Sequence, residues 1–153
     1  ASLAMVNEAM AYARLGENQK AEGSLRKALE VAPDSAAAHF NMGLLKAELG
    51  DSKGAEAHLR KALKADPQMA QAAYNLCVIT SEGSLDEAIS WCRKAADLRP
   101  QEPKYAFTLA FYLNQSGDRE ESIRTLKAIL KQHPGYSDAE MLLRQVTAAG
   151  KQP

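Results

Sequence analysis

A chain of 153 residues with 46% apolar but only 6% aromatic residues suits helices packed through small side chains rather than one core built on large rings. Its 19 lysines and arginines are matched by 19 aspartates and glutamates, so no net field draws it to nucleic acid or to an anionic membrane. No apolar run approaches the ~18 residues of a membrane span, and no direct membrane insertion is expected.

Pro33, Pro67, Pro100 and Pro134 fall at intervals of 34, 33 and 34 residues, and Gly16, Gly50, Gly83 and Gly117 keep the same beat half a period earlier. Between them apolar residues recur at helical spacing, as in Leu25, Ala28, Leu29 and Leu59, Ala62, Leu63, and strand-like alternation is absent. Each period therefore reads helix, glycine turn, helix, proline turn. The glycines suit the left-handed position after a helix, and the prolines stand where a second helix must stop.

In chain order the spacing predicts helices over 3–15, 18–31, 36–49, 53–65, 70–82, 85–98, 103–116 and 119–132. Asp34 and Ser35 offer a cap for the third, and Pro103 fits the first turn of the seventh. A ninth helix follows, to about residue 149, opened by the capping box Ser137-Asp138-Ala139-Glu140 with Tyr136 and Met141 placed as a hydrophobic staple. It turns Leu142, Leu143 and Val146 inward and carries Arg144 where the repeats have a small residue, so it reads as a cap whose outer face meets water. The interval of 33 predicts either a tighter turn before Gly83 or a slight shift of the fifth helix. The first helix lacks a convincing cap, and Glu8 stands where the later periods have Met42, Leu76 and Leu109. Further upstream repeats or a homo-oligomer remain open at that end.

These columns carry a resemblance. The small residues Ala9, Gly43, Cys77 and Ala110, then Ala21, Ala55, Ala88 and Ser122, then Leu25, Leu59, Cys92 and Leu126 resemble the tetratricopeptide repeat over essentially the whole chain. The resemblance implies an all-α, right-handed superhelical α-solenoid of antiparallel helix pairs with nine helices. It forms a single domain over 1–153, with repeats at about 2–35, 36–69, 70–102 and 103–136 and a capping helix at 137–150. It also implies a non-enzymatic scaffold for protein–protein interaction, whose first helices line a concave groove that takes a peptide or partner segment. The alternative is a structural, self-assembling or spacer module of a larger polypeptide.

Mapped onto this sequence, one groove column is Val6, Phe40, Tyr74 and Phe107. The next is Met10, Leu44, Val78 and Phe111. Beside them run Asn7, Asn41, Asn75 and Thr108, with Gln71, Lys104 and Asn114 in reach and Arg14, Glu48, Glu82 and Gln115 toward the rim. An asparagine amide matches the donor and acceptor of a peptide backbone, so this row is a candidate ladder for an extended guest; the bland alternative is that it serves the fold itself. The rings likewise either anchor a guest or fill the space between repeats. Family members that clamp a terminal carboxylate need lysines and arginine where this chain has Val6, Met10, Gln71 and Asn75, so that use is rejected.

The stripe Arg26-Lys27, Arg60-Lys61, Arg93-Lys94 and Lys127 is assigned to helix-dipole complementation near the ends of second helices. His39, His58 and His133 are taken to lie in different repeats without ligand spacing, and neither a metal nor a cofactor is expected. Cys77 and Cys92 face one another as small reduced packers or, alternatively, as a disulfide. No nucleophile elbow, phosphate loop or zinc-hydrolase motif occurs. Compartment is open, with the cytoplasm favoured slightly because no signal peptide is visible.

Overall fold

The computed structural model describes residues 1–150, and within them the chain is all-α. Its nine helices are α1 (Ser2–Arg14), α2 (Asn18–Val31), α3 (Ala36–Glu48), α4 (Ser52–Ala65), α5 (Ala70–Thr80), α6 (Leu85–Leu98), α7 (Pro103–Ser116), α8 (Arg119–Gln132) and α9 (Ser137–Ala149). None is long and apolar enough to cross a membrane.

Glycine ends three of the first helices because only glycine enters the left-handed region without steric cost. Gly16, Gly50 and Gly117 have φ of 76°, 83° and 96°. The next N–H in each case donates five residues back, from Glu17 to Tyr12 at 2.9 Å, Asp51 to Lys46 at 2.8 Å and Asp118 to Leu113 at 2.9 Å. Gly83 departs from this expectation and has no positive φ. With one residue fewer, α5 stops at Thr80 rather than 82, and the N–H groups of Gly83 and Ser84 both donate to the Thr80 carbonyl, at 3.1 and 2.9 Å. The tight turn left no room for the longer return.

Second helices end two residues before each proline. Ala32, Asp66, Arg99 and His133 donate the last helical hydrogen bonds, to Ala28, Ala62, Ala95 and Ile129, and each then has ψ between 75° and 93°. A following proline excludes the helical conformation at that position. The cap expected at Ser35 forms, its hydroxyl accepting from the Ala38 N–H at 3.1 Å, and Asp51, Ser84 and Asp118 cap their helices in the same way without having been anticipated. Each such cap contributes about 1 kcal/mol. The start of α9 differs from expectation. Ser137 is already helical, so its hydroxyl does not cap, and Glu140 donates to the Tyr136 carbonyl instead. No staple forms: Met141 is 58% exposed, while the Tyr136 ring lies against the core.

The residues fall into two compact units, Ala1–Ala72 and the part from Ala73 on. The first is centred on Val6, Ala9, Ala21, Leu25, Ala28, Ala38, Met42 and Leu45. Glu8, outside that core, accepts from the Ser24 hydroxyl at 3.2 Å and so ties α1 to α2. The second unit has one cluster around Cys77, Ala88, Cys92, Leu109 and Leu113 and another around Ala110, Leu126, Ile129, Ala139, Leu142 and Val146. Arg144 of α9 is exposed, as a cap requires.

In both units a helix pair meets where a small residue faces a large one: Ala9 and Leu25, Gly43 and Leu59, Ala110 and Leu126, all buried. The approach is closest at Gly43, where an added Cβ would lie 2.8 Å from Leu59 Cγ. Between α5 and α6 the same places hold Cys77 and Cys92, and here the disulfide alternative is the one realised: the sulfurs are bonded, with the Cα atoms 5.2 Å apart. A thiol pair is smaller than leucine with alanine; the bond brings the two helices together where the usual knob is missing.

Contrary to the dipole assignment, the basic stripe lies before the last turns of its helices, and its arginines make ion pairs instead. Glu22 accepts from Arg26 at 2.9 Å and from Lys46 of α3 at 2.8 Å, which lowers its pKa, and Arg93 of α6 binds Glu121 of α8. Exposed pairs of this kind contribute no more than about 1 kcal/mol each. His39 and His58, contrary to expectation, belong to one helix pair and touch. The Pro33 carbonyl can only accept, so His39 Nε2–H donates to it at 2.8 Å, leaving Nδ1 to accept from His58 Nδ1–H at 3.1 Å. Burial, then the adjacent His39 ring and the charges of Lys61 and Lys46, push the His58 pKa below its ordinary value, opposed by Asp51.

Two outcomes follow. Reduction should lower the stability of the second unit by about 3 kcal/mol, the scale for a loop of this length. Urea denaturation of Cys77→Ala/Cys92→Leu, which restores the small-and-leucine pair, should be unaffected by reductant. Acidification should also destabilise the chain. Below the unfolded histidine value of 6.5 the unfolded chain binds a proton that folded His58 resists. Stability is thus full above that pH and lost as pH falls toward the lowered folded value. Urea midpoints at about pH 7.5 and about pH 5.5 should differ less in His58→Gln than in the parent.

Candidate ligand-binding face

Helical spacing puts positions four apart on one face, so residues 6, 10 and 14 of α1 and 40, 44 and 48 of α3 form parallel rows one repeat apart. The two columns proposed from sequence fare differently in the structure. Val6, at 2% exposure, is taken into the core with Ala38 and Met42 and cannot meet a guest; a short β-branched side chain does not reach past the helices it packs between. Phe40 is half-buried. Tyr74 lies 4.9 Å from the Tyr105 ring and Phe107 lies 6.1 Å, edge on, from Tyr136. The Tyr74 and Phe107 rings thus fill space between successive helix pairs. Burial raises the pKa of both Tyr105 and Tyr136.

The other column is partly exposed. Met10 and Leu44 are each 37% exposed in the first unit, and Val78 and Phe111 are 42% and 40% exposed in the second. Beside them the polar row is partly committed to the fold. Asn41 Nδ2 donates to the Ala37 carbonyl at 2.8 Å, which leaves Oδ1 and one N–H. Thr108 donates to the Lys104 carbonyl at 3.0 Å and lies 3.2 Å from the Tyr74 hydroxyl. Lys104 Nζ stands 4.9 Å from the centre of the Tyr74 ring. Asn7 and Gln71 are exposed and Asn75 is half-buried, each on its first helix.

In the first unit these residues enclose a recess of about 200 Å³ between α1 and α3. Met10, Ala13 and Arg14 form one wall, Asn41, Leu44, Leu45 and Glu48 the other, and Ala21 and Leu25 of α2 the floor with Ala9. Arg14 and Glu48 thus line the recess itself. The sequence signal for them is the i+4 step from Met10 and Leu44. A larger recess of about 670 Å³ lies beside the α2–α3 turn, bounded by Pro33, Asp34, His39, Lys61, Lys64 and Ala65. Its walls are mostly polar and offer no large apolar anchor, so the smaller recess is the better candidate for a side chain.

The tetratricopeptide repeat family model matches residues 6–70 and 40–103, and a second model of the same description matches 80–146. No curated protein matches the chain in sequence. Among solved structures, YrrB, described as a TPR protein with an unusual peptide-binding site, superposes with a TM-score of 0.86 at 22% identity over 99% of this chain and 78% of its own. PilF of Pseudomonas aeruginosa gives 0.82 at 22% identity over 98% and 69%. MamA of Desulfovibrio magneticus RS-1 gives 0.76 at 24% over 89% and 77%. At these identities the likeness is one of fold, an all-α repeat solenoid.

The two classes of aromatic residue should separate in stability measurements. Phe107→Ala should cost about 2–3 kcal/mol in urea denaturation, because the ring is packed. Phe111→Ala should stay within about 0.5 kcal/mol of the parent.

Proposed function

Since the chain belongs to the tetratricopeptide repeat family, whose fold is a protein–protein interaction scaffold, we propose that it binds an extended peptide or partner segment on the face of its first helices. The observation that carries this reading is the exposed apolar column, Met10 and Leu44 in one unit and Val78 and Phe111 in the other, beside a polar row. Apolar side chains that keep about two-fifths of their surface in water at equivalent turns of the first helices form a sticky stripe. On a guest it gives anchors, at about 25 cal/mol per Å² covered.

The polar row supports the same reading. Asn41 keeps its Oδ1 for a backbone N–H of the guest, at about 0.5–1.5 kcal/mol per bond. Asn7 and Gln71 are candidates of the same kind in the first unit and Asn75, Lys104 and Thr108 in the second, while Phe40, Tyr74 and Phe107 are half-buried. YrrB, similar in fold, is itself described as peptide-binding. Binding holds a guest without transforming it, and needs no cofactor. A flexible guest is ordered as it binds, so affinity should be about micromolar.

The test is capture from a displayed peptide library, followed by fluorescence anisotropy on the selected peptides. Leu44→Asp and Phe111→Asp replace exposed residues and should leave the circular dichroism unchanged while at least one weakens capture about tenfold or more. Binding indifferent to both variants would overturn the proposal. A chain that forms concentration-dependent oligomers in light scattering and captures no peptide would favour self-assembly.

A further inference from the structure

Building on the peptide-binding reading, we infer that the recess between α1 and α3 selects a guest by an ordered triad: one large apolar side chain with an acidic residue on the α1 side and a basic residue on the α3 side. The size of the recess sets the first element. A cavity of about 150 Å³ accommodates a benzene ring. The recess here, about 200 Å³, holds one leucine, methionine or phenylalanine side chain and not two. Its depth comes from Ala9, Ala13 and Ala21, whose methyl groups leave open the space between Met10 and Leu44.

Charge sets the order. Arg14 and Glu48 stand one turn beyond Met10 and Leu44, at equivalent positions of successive repeats, and both line the recess. Among the described residues no ion pair engages either of them. Arg14 suits its place, since a cation in the last turn of α1 complements the helix dipole. Glu48 does not: as the final residue of α3 it puts an anion at the negative end of a helix, where the fold itself gains nothing from it. A basic group on a guest would offset that repulsion. The same rim therefore presents a cation over α1 and an anion over α3.

Geometry sets the spacing. Packed helices lie about 8–10 Å apart. In an extended chain, side chains two residues apart point the same way and are separated by about 7 Å. An anchor entering the recess thus places residues two before and two after it on the same side, over the two helices, within reach of Arg14 and Glu48. Asn41 Oδ1, on the recess wall, is positioned to accept a backbone N–H near the anchor. Which charge comes first along the guest reports its chain direction.

The experiment uses the full chain and three labelled peptides with a central leucine: one with aspartate two residues before and lysine two after, one with these exchanged, and one with alanine at both places. Fluorescence anisotropy should rank one charge order about fivefold above the alanine peptide and the other order below it, at low salt. The double variant Arg14→Glu/Glu48→Arg should invert the ranking without altering the circular dichroism, and salt should compress both differences. Equal affinity for the two orders, or the same preferred order in parent and double variant, would overturn the inference while leaving peptide binding intact if Leu44→Asp still abolishes capture. Absence of any binding, in a chain that also captures nothing from the library, would overturn both.

Discussion

The architecture depends on one contact repeated along the chain, a small residue on a first helix against a large one on its partner. Gly43 against Leu59 shows why it cannot be relaxed: a methyl group at Gly43 would sit 2.8 Å from Leu59 Cγ, inside van der Waals contact. Alanine takes the role at Ala9 and Ala110, each buried in a cluster with its leucine. Between α5 and α6 a covalent bond replaces the knob, and it coincides with the place where the turn is a residue shorter and its glycine leaves the left-handed region. Covalent closure and the shortened turn are two local answers within one helix pair.

Because this contact consumes the inner side of every pair, what remains on the first helices is divided between the next helix pair and solvent. Rings at Tyr74 and Phe107 go to the former and find Tyr105 and Tyr136. The column one turn further on stays partly exposed. The division is one of distance along the helix: a single turn moves a side chain from the interior to the partly exposed face. Small residues that make close helix approach possible also give the recess between α1 and α3 its depth, so the candidate site is a by-product of the packing rule.

Most helix limits were legible because glycine and proline act through the backbone alone. Gly16, Gly50 and Gly117 and all four prolines do locally what their chemistry requires, whatever surrounds them. The errors fall where a neighbour decides. Ser137 has a cap's sequence, yet Tyr136 takes the capping position as its ring is drawn into the core beside Phe107. Val6 shares a column with three rings but is too short to leave the interior. His39 and His58 are nineteen residues apart and meet only because α3 and α4 pack antiparallel.

By itself the sequence determined the period, the helices, the buried columns and the absence of net charge, since these rest on backbone conformation and on composition repeated at fixed intervals. The tertiary structure decided which of two adjacent columns meets solvent, that Cys77 and Cys92 are bonded, that two histidines share a hydrogen bond, and that Arg14 and Glu48 stand over a recess floored by α2. Each of these depends on the distance between side chains on different helices, and no local preference of the chain encodes that distance.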